Sequence, residues 1–361
     1  MKAAVLYEAN SPLVIEQFDL PDIADDQVRV RLMASGVCHS DWHIVKGEWV
    51  DVNRPPVILG HEGAGLVEEV GAAVKGVNVG DHVVLSWMRN CGICEMCQEG
   101  YSNLCEEPWD HSAQPRSADS GRPMKRMNAL GTFSTETIVP QDIAIPIDRE
   151  IPFAQASLVG CGVMTGVGAA LNTARVQAGK SVAVFGCGGV GLNVIQGAAI
   201  AGAEPIIAID ILDNKLELSR QFGATHTVNS AEADPVEAIK ELTDGKGAHY
   251  AFEAIGLAPE PYTQSILCTR RRGVTVFVGH GPDNMPIDFD CKILGPEKMV
   301  IGSMYGSCNP RIDFPRILSL YKAGKLKLDE LVTRVYPLED VNEAFAALGR
   351  GEVARSVLDL T

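Results

Sequence analysis

Ser181-Val182-Ala183-Val184-Phe185-Gly186-Cys187-Gly188-Gly189-Val190-Gly191 carries an unbroken apolar stretch straight into a glycine loop. A run without polar alternation predicts a strand buried on both faces. Residues 186–191 read G-x-G-x-x-G and open a small-residue helix that continues to about residue 201. Alone, the pattern fits a plain turn equally well. Its setting between strand and helix, with Asp210 ending the next strand 19 residues after Gly191, points to a dinucleotide phosphate site. Gly186 allows the tight turn, Gly188 lets the backbone approach a pyrophosphate, and Gly191 lets helix and strand pack closely. Gly189 and Val190 start the helix whose free N–H groups face the phosphates. Asp210 can accept hydrogen bonds from ribose hydroxyls and would repel a 2′-phosphate, so NAD is expected over NADP; it could otherwise cap the next helix. Lys215 is placed to help at the ribose, or is a plain surface lysine.

Outward from this loop, apolar stretches at residues 206–209, 226–228, 250–252, 274–278 and 299–301 alternate with helical patterns at 214–222, 235–242 and 261–267. About six buried strands separated by helices predict an α/β, doubly wound parallel sheet, a Rossmann domain over residues 161–299. Before residue 160 the pattern differs. Residues 27–33 alternate polar and apolar, and β-branched runs at 57–59, 65–70 and 81–85 lie between glycine breaks. These predict a mainly β domain. Residues 111–126 are polar and read as an extended surface loop. A late helix (314–322) and final strand (356–360) are expected to rejoin the first domain, which then comprises residues 1–160 and 300–361.

A chain of 361 residues is comfortable for two cores. Its formal net charge of −15 disfavours nucleic acid and anionic membrane as partners. The N-terminus shows no signal-peptide pattern. The most apolar stretches, 156–171 and 182–203, are dense in glycine and read as buried strands and helix starts. A cytoplasmic, reducing setting is expected, so ten cysteines need a purpose other than disulfides.

Four of them, Cys91, Cys94, Cys97 and Cys105, are spaced C-x2-C-x2-C-x7-C within a polar lobe at residues 90–108. Four close thiolates can close a tetrahedron around zinc, leaving no place for substrate, so the role would be structural. A ferredoxin-type cluster needs a shorter last spacing followed by proline; here Glu106 follows.

Cys38, His61 and Cys161 lie far apart, and spacing alone could not select them. Their surroundings do. Residues 60–65 (GHEGAG) with Gly71, residues 36–41 (GVCHSD) and residues 160–162 (GCG) resemble the signatures of zinc-dependent medium-chain alcohol dehydrogenases. The lobe and the glycine loop fall in that family's order. The resemblance spans essentially the whole chain. It implies a GroES-like catalytic domain beside the cofactor domain, two zinc ions per chain, NAD, and a small alcohol or aldehyde as substrate. Cys38, His61 and Cys161 would hold a catalytic zinc whose open fourth position takes water or substrate. Glu62 would stand close behind the metal. Asp41 would orient His61, or form a loop turn.

The same resemblance makes Ser40 and His43 a proton relay. It sets His39, Thr165 and Arg355 against the cofactor. It lines a substrate channel with Trp49, Trp87, Phe133 and Met304, although core packing accounts for such residues nearly as well. His280 stands where relatives carry an apolar residue, and either meets a polar substrate or points away. The loop between Cys105 and Phe133 has the length found in dimeric relatives, so a homodimer paired along the dinucleotide sheets is expected. A thiol-adduct (S-hydroxymethyl-thiol) formaldehyde dehydrogenase shares every motif and differs only in the pocket. A non-catalytic member of the fold would have lost a zinc ligand or the glycine loop, and neither is missing.

Overall fold

The computed structural model describes residues 1–49 and 53–361. It divides into two compact units. The first comprises Met1–Cys161, Asn309–Gly324 and Leu328–Thr361; the second comprises Gly162–Cys308 and Lys325–Lys327.

The first unit is built on two sheets. The larger runs Ala144–Ile147, His82–Leu85, Glu62–Val70, Gln27–Val37, Arg355–Asp359, Val332–Pro337, with Glu136–Pro140 also pairing to Gln27–Val37. The alternation read at residues 27–33 is observed: Val28, Val30 and Leu32 are fully buried while Arg31 is exposed. From Ala34 on, the same strand is buried on both faces. At Gly36 a Cβ would overlap Glu62 Oε2 and lie 2.9 Å from Leu158, so only glycine lets the site pack there.

The stretch at 111–126 is not a plain surface loop. Arg116–Ser117 and Lys125–Arg126 form the two outer strands of the smaller sheet. Met124 packs with Ala3, Val5, Phe18 and Ile58 of that sheet, and Ala113 is buried as well. The polar composition misled because the short strands bury alternate residues only.

The second unit carries six strands, Val182–Phe185, Ile206–Asp210, His226–Asn229, Ala248–Glu253, Thr269–Phe277 and Met299–Gly302. Numbered one to six in that sequence, they lie in the order 3-2-1-4-5-6 with every pairing parallel. This is the doubly wound arrangement expected, and a ligand binds at its switch point outside the strand ends. The unit ends at Cys308 rather than at 299, because Val300–Ile301–Gly302 complete the sixth strand. Residues 325–327 return to it since the buried Gln196 clasps Lys327 through both amide groups, donating to its carbonyl at 3.1 Å and accepting from its N–H at 2.7 Å.

The apolar stretch at 156–171 is one helical run, Phe153–Thr173, rather than strands. It is the one helix among the described residues long and apolar enough to cross a membrane, and 78% of its apolar window is buried inside the protein. Its glycines admit close neighbours instead of ending the helix: a Cβ at Gly160 would meet the Leu85 carbonyl at 3.0 Å.

Candidate active site

Helix His39–Lys46 starts at Cys38, its extended N-cap. Asp41 closes the cap, Oδ2 accepting from the Cys38 amide at 3.1 Å. Its Oδ1 accepts from the Gly60 amide at 3.0 Å and from His61 Nδ1 at 3.2 Å. One fully buried carboxylate thus joins two segments remote in sequence, as expected for the residue that orients His61. With its Nδ1 proton given to Asp41, the histidine keeps its lone pair on Nε2. That atom is buried and has no hydrogen-bond partner among the described residues.

Cys161 comes from a π-helical turn, Val159–Val163, within the long helical run. Such wide turns re-aim side chains and recur at functional sites. The ligand atoms of Cys38, His61, Glu62 and Cys161 all lie within 4.8 Å of one another. Two sulfurs facing an unpartnered ring nitrogen are the donors zinc takes in an open-sided site, so these residues fit the ion.

At Cys38 the surroundings favour the ligating charge state, while the hydrogen bond to Cys38 and burial push the Cys161 thiol up. A hydrogen bond from Cys161 holds the Cys38 thiol well below its usual range; burial opposes this, and Arg355 and His61 add to it. Glu62 is ion-paired with Arg355. Burial pushes Glu62 up to about 7, with Arg355 pulling the other way. Arg355 is itself buried, with NH1 4.0 Å from Cys38 Sγ. It is no surface cation, and its guanidinium turns inward to Glu62.

Asp41→Asn is expected to weaken zinc binding by roughly 10–100-fold, the usual cost of losing such a supporting carboxylate. Asp41 accepts three N–H groups, so the new amide nitrogen would oppose one donor with another. Competition with a chelator, followed by metal analysis, checks this.

The four-cysteine lobe is assembled as its spacing implied. Cys91 Sγ lies 3.9 Å from Cys97 Sγ, and Cys94 Sγ lies 3.9 Å from Cys105 Sγ. A tetrahedron with metal–sulfur bonds of ~2.3 Å has edges of about 3.8 Å. Amides at Ile93, Cys94 and Cys97 point at the Cys91 and Cys94 sulfurs. Backbone N–H groups, chiefly that of Glu106, bring the Cys94 thiol down to about 7.

In the second unit, Gly186 has φ +94°, and a Cβ on Gly191 would strike the Gly186 carbonyl. Nothing in the protein lies within 4 Å of where a Gly188 Cβ would be. The glycine there leaves open the cradle a phosphate would fill, at the start of helix Gly189–Ile200, whose N-cap makes no side-chain hydrogen bond. Asp210 does more than face outward. Its Oδ2 accepts from the Cys187 amide at 2.8 Å, and Oδ1 from Ile211 and Leu212 at 2.8 and 3.1 Å. Lys215 is half-buried on the next helix. Thr165 is 9% exposed on Met164–Gly168. The next residue, Gly166, packs against the loop helix closely enough that a Cβ would lie 2.6 Å from Asn193 Cβ.

Ser40 and His43 sit three residues apart on helix His39–Lys46 and so share a face. Ser40 Oγ is 3.8 Å from Cys38 Sγ. His39 is exposed. Among the residues assigned to the channel, Phe133 borders the His61 segment, its Cδ1 2.5 Å from where a Cβ on Gly60 would stand. It is fully buried, edge-on to Phe345, in the core of the first unit. Its backbone pairs with Leu59 behind the Gly60–His61 segment. Trp49 stacks on the His43 ring with centroids 4.8 Å apart. Trp87 is half-buried and packs on the first unit's core. His280 and Met304 are exposed on the second unit.

Sequence reading missed Glu48, whose Oε2 meets His43 Nδ1 at 2.6 Å. The available signal was Gly47. In the left-handed region (φ +69°) it ends the helix and folds the Glu48 amide back onto the His43 carbonyl at 2.9 Å, as a Schellman turn does. Glu253 was also missed. It is fully buried at a strand end, and Oε1 accepts from the amides of Ile255 and Gly256 at 2.8 and 2.9 Å.

Residues 24–149 match the family described as alcohol dehydrogenase GroES-like domain, and residues 189–323 match zinc-binding dehydrogenase. The NDMA-dependent alcohol dehydrogenase of Amycolatopsis methanolica is 38% identical, over 99% of this chain and 98% of that one. Alcohol dehydrogenase B of Mycobacterium tuberculosis is 36% identical, over 100% of this chain and 98% of that one. The crystal structure of benzyl alcohol dehydrogenase from Acinetobacter calcoaceticus superposes with a TM-score of 0.93 at 31% identity, covering 100% of this chain and 99% of that one. With family models matching both units and relatives of more than 30% identity over nearly its whole length, this chain belongs to the zinc-dependent medium-chain alcohol dehydrogenases.

Proposed function

We propose that the chain reversibly oxidises a primary or secondary alcohol to an aldehyde or ketone, with NAD⁺ taking the hydride and two zinc ions per chain, one catalytic and one structural. The observation that carries this reading is the meeting of Cys38, His61 and Cys161 around an unpartnered Nε2. When bound, zinc would polarise the substrate oxygen as a Lewis acid, and NAD⁺ would supply the hydride acceptor.

The chain's own residues do the rest. Cys38 and Cys161 offer anionic sulfur, and Asp41 holds His61 so that Nε2 faces the sulfurs. Arg355 neutralises Glu62, which would otherwise be an unpaired charge in a dry pocket. Ser40 relays the hydroxyl proton, releasing its own O–H proton as it accepts the new one, and His43, on the same helix face, is the next acceptor. The glycine loop and the N-terminus of Gly189–Ile200 hold the pyrophosphate, and Asp210 holds the ribose. A cytoplasmic homodimer fits the reading; strand Met299–Gly302 pairs only with Thr269–Phe277 among the described residues, leaving an edge for a second copy.

The deciding assay measures alcohol oxidation by the zinc-loaded protein with NAD⁺, NADP⁺ and NDMA as separate acceptors, across aliphatic and benzylic alcohols. Turnover with NDMA but not with free NAD⁺ would overturn the acceptor assignment and leave the alcohol chemistry standing. Activity that requires added thiol and formaldehyde would favour the thiol-adduct reading.

Two variants probe the parts. Ser40→Ala is expected to lower kcat by about 100-fold, the scale of one proton-transfer group, with zinc content unchanged. Full turnover in that variant would remove Ser40 from the path. Asp210→Gly is expected to raise kcat/KM for NADP⁺ by about tenfold or more, because a repelling carboxylate is gone. It should also lower stability by about 1–3 kcal/mol, since the amides Asp210 now accepts from would be left unpaired. Steady-state kinetics with both cofactors and a thermal melt read the two effects.

A further inference from the structure

We infer that Glu48 is the positioning residue for His43: it fixes the proton on Nδ1, leaves Nε2 as the base, and faces the ring with a negative charge while it carries a second proton. This rests on the alcohol-oxidising reading above.

Three observations meet at one ring. His43 is 4% exposed, so water does not orient it. Its Nδ1 lies 2.6 Å from Glu48 Oε2, and a carboxylate at that distance can only accept, so Nδ1 carries the hydrogen. Trp49 lies nearly parallel to the imidazole, 16° between planes, which blocks a flip that would exchange the two nitrogens. The pair is also built by the backbone, since the left-handed Gly47 returns the chain over the last helical turn and the Glu48 amide bonds the His43 carbonyl at 2.9 Å. Glu48 is therefore delivered to His43 by local geometry, not by a long side chain searching for a partner.

The consequence for proton transfer is specific. His43 Nε2 makes no hydrogen bond to another described residue and is the free acceptor. As the substrate's hydroxyl proton arrives, an Nε2–H bond forms, the Nδ1–H bond persists, and the imidazolium sits against the carboxylate. The proton then leaves Nε2 for water, restoring the starting tautomer. No electrons move in these steps. The arrangement follows the general logic of a carboxylate holding a catalytic imidazole. The Glu48 side chain is 38% exposed, so its charge is partly screened and its main effect is on tautomer and ring placement.

The test uses the full zinc-loaded chain with ¹⁵N-labelled histidine, the His43 signal being assigned with His43→Gln. Long-range ¹H–¹⁵N spectra of the neutral ring are expected to show the hydrogen on Nδ1 in the native protein. In Glu48→Ala they should shift toward the Nε2–H form. In Glu48→Gln, whose amide oxygen still accepts, Nδ1–H should persist. In turnover, Glu48→Ala is expected to lower kcat by about tenfold, the lower end of the range for a supporting carboxylate. KM for the alcohol should stay within about twofold, zinc content should be unchanged, and Glu48→Asp should recover part of the rate. An unaltered tautomer in Glu48→Ala would overturn the inference, as would an unaltered kcat where the native protein turns over. Absence of turnover in the native protein would instead defeat the alcohol-oxidising reading, and the spectra would still decide the pairing.

Discussion

Cys38→Ser is expected to lower alcohol turnover by at least about 10³-fold while leaving the fold intact. A Lewis acid at the reacting oxygen is worth several kcal/mol of barrier, and each 1.36 kcal/mol is tenfold in rate. Serine offers a neutral hydroxyl where the pocket now lowers a thiol by hydrogen bonding and nearby positive charge. The fold should survive because the helix start depends on the Cys38 backbone: its amide is held by Asp41 at 3.1 Å, and serine is a good N-cap residue. Steady-state rates, metal analysis and a thermal melt on the same sample separate the outcomes. Undiminished turnover in a fully demetallated sample would defeat the metal assignment altogether.

Cys97→Ser is expected to act the other way, on stability first. The lobe has almost no core of its own: Ile93 is 73% exposed, Tyr101 53% and Leu104 44%. Its short helix, Glu95–Gln98, buries no residue. What gathers these turns is the set of four sulfurs. Opening that set should lower Tm by roughly 5–10 °C, the size of a loss of about 2–3 kcal/mol in a domain this large. Zinc content should fall by one ion per chain. Scanning calorimetry with metal analysis checks both. An unchanged Tm with one zinc lost would mean that ordinary packing holds the lobe.

The two substitutions also mark where local sequence sufficed and where it did not. The lobe was legible because its ligands lie within 15 residues, so spacing alone limits the geometry. The second unit was legible because buried parallel strands carry unbroken apolar runs, and the glycine loop announces itself by its turn. Sequence alone left Phe133 between two roles, because an aromatic residue reads the same whether it lines a channel or packs against Phe345. The helical run Phe153–Thr173 was read as buried strands and helix starts rather than one continuous helix because glycine lowers helix propensity. Packing overrides that here, with close backbone neighbours at Gly160 and Gly166.

By itself, the order of residues determined the doubly wound sheet and pointed to the cysteine lobe, and the resemblance of three segments to the family named the dispersed candidate ligands. These depend on apolar period, short spacing and signature segments, all properties of neighbouring residues. Only the tertiary structure decided that Asp41 spans the Cys38 and His61 segments, that a π turn delivers Cys161, that Arg355 turns inward to Glu62, and that Glu48 folds back on His43. The reason is physical: such pairings arise when remote or reversed backbone is brought within hydrogen-bond reach in a dry interior, where an unpaired polar group is costly.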